Sequence, residues 1–223
     1  MPEQQKAKEP FVFYTRMHLT ELTGLRASTL SQLLQLVKEV NGSCIYHHTH
    51  RFLQQHQHLS PEPPNDFAYW VTEVLGEDEL GEKLASIDVI QFNTIRSLRE
   101  KIAEAIESYL AENPMAKVRF SKENEEFHFM KSISFVMPTK YVAHDLNDFV
   151  EILGKITIDS IYYHIFESRL RLEKNANDFS NWFLTSLGDD RLAAEISKLD
   201  PYTFTLEGLR NRVIRIVKIR IDS

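Results

Sequence analysis

His48 and His164 each lie two residues after a tyrosine, Tyr46 and Tyr162, and upstream of an Asn-Asp pair, Asn65-Asp66 and Asn177-Asp178. An imidazole held by a carboxylate is the arrangement that orients general bases and metal ligands. His48 with Asp66, and His164 with Asp178, are therefore two candidate polar sites, with Asn65 and Asn177 as amide contacts. The same residue types have a structural reading. A buried histidine satisfied by an aspartate or a backbone group staples two helices together, because buried polar groups must be paired whether or not they react. Asn-Asp ahead of an apolar run starts a helix, its short side chain accepting the free N–H groups of the first turn. The structural reading is favoured at both positions. Phe67 and Trp70, like Phe179 and Trp182, stand three apart, which is core spacing on a helix.

Other polar residues are weaker candidates. The stretch from Tyr46 to His58 holds five histidines, His47, His48, His50, His56 and His58. A His-rich tract suggests metal binding, but no His-Glu-x-x-His spacing is present and only His48 recurs at His164, so neither a metal site nor a cofactor is expected. Arg99 and Arg210 occupy matching positions in the last helices and could bind an anion. Pairing with Asp88 and Asp200 is the favoured role. The final helix carries Arg210, Arg212, Arg215, Lys218 and Arg220 among six β-branched apolar residues, a pattern that can meet an acidic partner or membrane surface. Its counterpart carries Glu100, Glu104 and Glu107, so electrostatic complementarity between the two helices is favoured instead.

The elements that position these residues recur along the chain. Phe11, Phe13, Thr23, Ala27, Leu30, Ile45, Tyr46 and His48 reappear 116 residues later, and Asn65, Asp66, Phe67, Trp70, Leu75, Gly76, Asp78 and Leu80 reappear 112 residues later. This ordered series predicts a tandem duplication. Each copy opens with a β-like segment, Phe11–Met17 or Phe127–Met137. Helices follow, one carrying Tyr-x-His, one starting at Asn-Asp and stopping at Gly76 or Gly188. The expected fold is mostly α, two helical repeats about a pseudo-twofold with a minor β element, and the two β-like segments paired with each other. The boundaries read as a polar tail 1–10, repeat 11–110, linker 111–126 and repeat 127–223. The Pro-rich loop Leu59–Pro64 reads as a lid or a spacer.

Composition narrows function by exclusion. A net charge of −6 argues against a general nucleic-acid grip. One cysteine, Cys44, precludes an internal disulfide or a Cys-based zinc site, and no apolar run is long enough to span a membrane. A cytoplasmic setting is expected, without nucleic-acid or membrane partners. With seven glycines the chain shows no phosphate loop, nucleophile elbow or Rossmann fingerprint.

The segments SCIYHHTHRFL with PPNDFAYWVTEVLGEDELGEKLASID, and SIYYHIFESRL with NDFSNWFLTSLGDDRLAAEISKLDPYTF, resemble an uncharacterised prokaryotic domain-of-unknown-function family with a repeated Asn-Asp-Phe-x-x-Trp signature. The first copy departs from the second in having Leu80-Gly81 in place of Leu192-Ala193. The resemblance spans nearly the whole chain after the first ten residues and implies no activity, cofactor or catalytic residue. The expected function is a non-catalytic binding or regulatory module, engaging a protein partner or small ligand at the repeat interface, with homodimerisation among the expected assemblies. The alternative is an enzyme, or a metal or sugar-ligand site, built on the repeated His and Asp residues.

Overall fold

A computed structural model of the chain describes residues 6–52, 64–168, 176–199 and 205–222. Phe11–Ala27 and Phe127–Ala143 form two strands, β1 and β2, of 17 residues each, paired in a single two-stranded sheet. Glu21 meets Lys131, Thr23 Oγ1 donates to the Phe129 carbonyl, and Arg26 meets Glu126. As the number rises on one strand it falls on the other, so the pair is antiparallel.

The expectation of two helical repeats about a pseudo-twofold with a minor β element is thereby corrected. The β-like segments read from the sequence end at Met17 and Met137, but the strands continue to Ala27 and Ala143 through mixed polar and exposed apolar residues, because cross-strand ion pairs and hydrogen bonds support a sheet as apolar contacts do. Pro138 is tolerated within β2 because every strand of a two-stranded sheet is an edge.

The chain packs as two compact units. A central unit comprises residues 18–133, and a composite unit comprises residues 1–17 with 134–223. The start of β1 belongs with the later helices, and the start of β2 with the earlier ones.

The helices of the central unit are α1 (Leu30–Glu39), α2 (Gly42–Tyr46), α3 (Asp66–Glu73), α4 (Asp78–Ala85) and α5 (Ile95–Glu112). α2 runs into a π-helical turn, His47–Arg51. α1 packs on α5 and α3 on α4. Thr29, Asn41, Asn65 and Thr94 cap the starts of α1, α2, α3 and α5 by accepting first-turn N–H groups. After α3 the chain reverses at Gly76, whose φ of 65° suits glycine.

The composite unit has α6 (Leu146–Leu153), α7 (Ile158–Tyr162), α8 (Asp178–Thr185), α9 (Asp190–Ser197) and α10 (Leu206–Ile221). α7 likewise enters a π-helical turn, Tyr163–Glu167. Its core gathers Phe11, Phe13, Phe149, Phe179, Trp182, Phe183, Ile196 and Val213. Phe11 lies edge-on to Phe13, Phe149 and Trp182, the geometry that aromatic quadrupoles favour. The N-terminal stretch also takes part: the Ala7 and Lys8 amides donate to the carbonyls of His144 and Ser186.

Candidate functional site

Both candidate histidines sit in π-helical turns, rare features often found at functional sites. In the central unit His48 Nδ1 lies 2.7 Å from Asp66 Oδ2, and His48 Nε2 accepts the Met130 backbone N–H at 3.0 Å. In the composite unit His164 Nδ1 lies 2.7 Å from Asp178 Oδ2, and Nε2 accepts the Tyr14 N–H at 2.8 Å. A backbone N–H can only donate, so Nε2 must present its lone pair and Nδ1 must carry the proton. Each imidazole is thus fixed in one tautomer with both nitrogens engaged. The imidazoles are sealed, with 2% side-chain exposure each, while Asp66 and Asp178 keep 28% and 14%.

Around each ring the Asn-Asp-Phe-x-x-Trp residues grip the opening of a strand. Phe67 stacks on Phe127, and both rings flank His48. Phe179 and Phe11 flank His164 in the same way. Trp70 Nε1 donates to the Glu125 carbonyl just ahead of β2, and Trp182 Nε1 donates to the Glu9 carbonyl just ahead of β1. Tryptophan, histidine and phenylalanine therefore bind one strand opening at three points, and in each unit that strand comes from a distant part of the sequence.

Asn65 and Asn177 do two jobs. Their Oδ1 atoms cap α3 and α8 by accepting from Ala68 and Ser180 N–H, and their Nδ2 atoms donate to the Leu84 and Ile196 carbonyls near the ends of α4 and α9. The capping and stapling readings describe one side chain. Tyr46 and Tyr162 are buried: Tyr46 stacks with His18 and His50, and Tyr162 with Phe166.

Arg99 donates to the carbonyls of Lys38 and Val40 at the end of α1, and Arg210 donates to the Ile156 carbonyl beyond α6. A cation at a helix C-terminus also complements the macrodipole. Arg210 additionally meets Glu207. Of the expected aspartate partners, Asp88 accepts from Gln91, and Asp200 lies outside the described residues.

Among the described residues of the histidine tract, His47 and His50 have different partners. His47 Nδ1 meets Ser132 Oγ at 2.9 Å in a buried contact, and burial, reinforced by neighbouring His48 against the pull of Asp66, pushes the His47 pKa down to about 4. His50 Nδ1 lies 3.1 Å from Thr49 Oγ1. His56, His58 and Leu59–Pro63 lie outside the described residues. Among the described residues no group of three or more His, Cys, Asp or Glu side chains could hold a metal ion. Cys44 is a buried free thiol whose pKa is raised by desolvation.

The groups missing from the sequence reading are the strand amides of Tyr14 and Met130, the carbonyls of Glu9 and Glu125, and Ser132. One signal pointed to them: Phe-x-Phe recurs at the same 116-residue offset as the histidines.

A family model matches residues 8–218. The chain belongs to the family of unknown function DUF5752. No curated protein matches this DUF5752 member. Among solved structures, OrfY from Thermoproteus tenax is similar, with a TM-score of 0.81, 28% identity and 98% coverage of each chain. Among the described residues no helix of the DUF5752 chain is long and apolar enough to cross a membrane.

Proposed function

We propose that this DUF5752 protein is a non-catalytic binding or regulatory module engaging a protein partner or a small ligand, and that its two His–Asp pairs are strand clamps. The observation carrying this reading is the double engagement of each imidazole. A general base needs a ring nitrogen within reach of the proton it removes. Here Nε2 of His48 and His164 is occupied by a backbone N–H, and Nδ1 by a carboxylate. The matching geometry in both units fits a role in folding, each ring holding the opening of a strand. A lone buried thiol supports a reducing, cytoplasmic setting.

The test is a turnover panel of phosphoester, phosphoanhydride, glycoside and ester substrates run on wild type, His48→Gln and His164→Gln. No turnover is expected from any of the three, and both variants should melt earlier. Turnover by wild type that vanishes in a variant still folded at the assay temperature would restore the enzyme reading.

A further inference from the structure

A groove of about 460 Å³ lies between α9 and α10 of the composite unit, lined by Arg191, Glu195, Lys198, Leu199, Arg212 and Ile216 among others. Arg191, Lys198 and Arg212 are exposed, and among the described residues none of them has an ion-pair partner. Among the described lining residues three cations stand against one carboxylate, Glu195, a charge of +2 in a chain whose net charge is −6.

The central unit supplies an internal comparison. Its corresponding groove, between α4 and α5, is also about 460 Å³ and includes Lys83, Asp88, Lys101 and Glu104. There the cations are neutralised. Lys83 pairs with Glu79 and Glu112, and Lys101 pairs with Glu104. At the matching sequence positions Glu79 gives way to Arg191, and Glu104 to Arg215. Two of the three carboxylates that quench the charge in one groove match arginines, and one of these, Arg191, lines the other.

We infer that the α9–α10 groove binds a small polyanion bearing phosphoryl groups. Guanidinium groups present paired N–H donors that match phosphate oxygens, and a neighbouring ammonium adds a point charge. The volume suits a small molecule, while apolar Leu199 and Ile216 give its uncharged part something to rest on. The inference names a ligand class for the binding function proposed above and rests on that reading, but its test is independent of turnover.

The test is calorimetric titration of the full chain with pyrophosphate at low salt, alongside Arg191→Glu, Arg212→Glu and Lys101→Glu. All three side chains are exposed, so the variants should keep the wild-type melting point, which is measured first. Wild type is expected to bind. Each arginine variant should lose roughly tenfold to a hundredfold in affinity, the fold-change corresponding to one charged hydrogen bond, and Lys101→Glu should bind as wild type does. Absence of binding by folded wild type, equal loss in Lys101→Glu, or unchanged affinity in both arginine variants would overturn the inference. Binding of a long single-stranded nucleic acid without binding of pyrophosphate would overturn it too. Slow hydrolysis of bound pyrophosphate would sink the non-catalytic reading and leave the groove standing, whereas failure to bind leaves the non-catalytic reading untouched.

Discussion

Replacing His164 with alanine tests the strand clamp at a single bond. The substitution removes the acceptor of the Tyr14 N–H and the donor to Asp178, and empties the space between Phe11 and Phe179. An unsatisfied N–H in a partly buried site costs about 1–3 kcal/mol, and loss of a hydrogen bond to a charged group costs about 1.5–3 kcal/mol. The global cost is therefore about 2.5–6 kcal/mol, before any cavity term. The local cost is read at one amide: native-state exchange of Tyr14 N–H should accelerate about fivefold to 150-fold, since 1.4 kcal/mol is tenfold. Asp178→Asn makes the contrast. Its side-chain oxygen still accepts from Nδ1, so it should cost about 1 kcal/mol and leave Tyr14 exchange nearly unchanged. Long-range proton–nitrogen spectra of wild type should show His48 and His164 protonated at Nδ1. Unchanged Tyr14 exchange in His164→Ala, or a proton on Nε2 of either ring, refutes the clamp.

Four further outcomes are expected. His47 is pushed from 6.5 to about 4, so between these values the unfolded chain binds the proton that the folded chain refuses. Stability should fall as pH drops through that window, by up to about 3 kcal/mol, and His47→Gln should flatten the melting-temperature profile there. Asn177→Ala should cost about 2 kcal/mol by denaturant titration, because it removes both a cap and a buried staple. Arg99→Met should cost about 1–2 kcal/mol by exposing two carbonyls at the end of α1. A Cβ at Gly81 would lie 1.9 Å from Thr72 Oγ1. Gly81→Ala alone should therefore destabilise, whereas Thr72→Ala removes the Oγ1 clash, leaves the 3.2 Å approach to Cβ and should relieve most of that cost, a coupling that a double-mutant cycle measures.

That last case bears on the one departure between the two signatures. Gly81 stands at the sequence position matching Ala193, with Thr72 filling the space a Cβ would take, while the residue matching Thr72 is the half-exposed Leu184. Much of the local structure was legible in this way. Asn-Asp marked the starts of α3 and α8, Gly76 marked a helix end, and Phe67 and Trp70 marked core positions, since capping, left-handed turns and apolar spacing are short-range effects. The length of the strands was not legible, because Glu21 and Lys131 support the sheet only when they meet across it. Nor was the identity of the strand each histidine grips. His48 lies 37 residues from Phe11 and 79 from Phe127, and it holds the opening of the more distant one. A periodic pattern shows that a strand needs a partner without saying which of two similar openings fills which socket. The groove between α9 and α10 was half legible. The basic helix was evident, but the separation of Arg210 and Arg220, which are spent on Ile156 and Asp189, from Arg212, which lines the groove, needed the packing of α9.

The assignment of residues 1–17 to the composite unit has a consequence for synthesis. The central unit, residues 18–133, has its whole sequence once residue 133 has emerged, but the composite unit cannot close until α10 is made. At about 5–20 residues per second, the opening of β1, with Phe11 and Phe13, waits about 10–40 seconds for its socket. During that wait it is an unsealed strand edge with apolar side chains. A segment made before the central unit is thus among the last to settle, since the closure linking Tyr14 to His164 spans 150 residues and carries a loop-closure entropy cost. Folding of this chain is expected to run from the central unit outward, and the segment holding Phe11 and Phe13 is the one whose aggregation a nascent-chain chaperone would have to prevent.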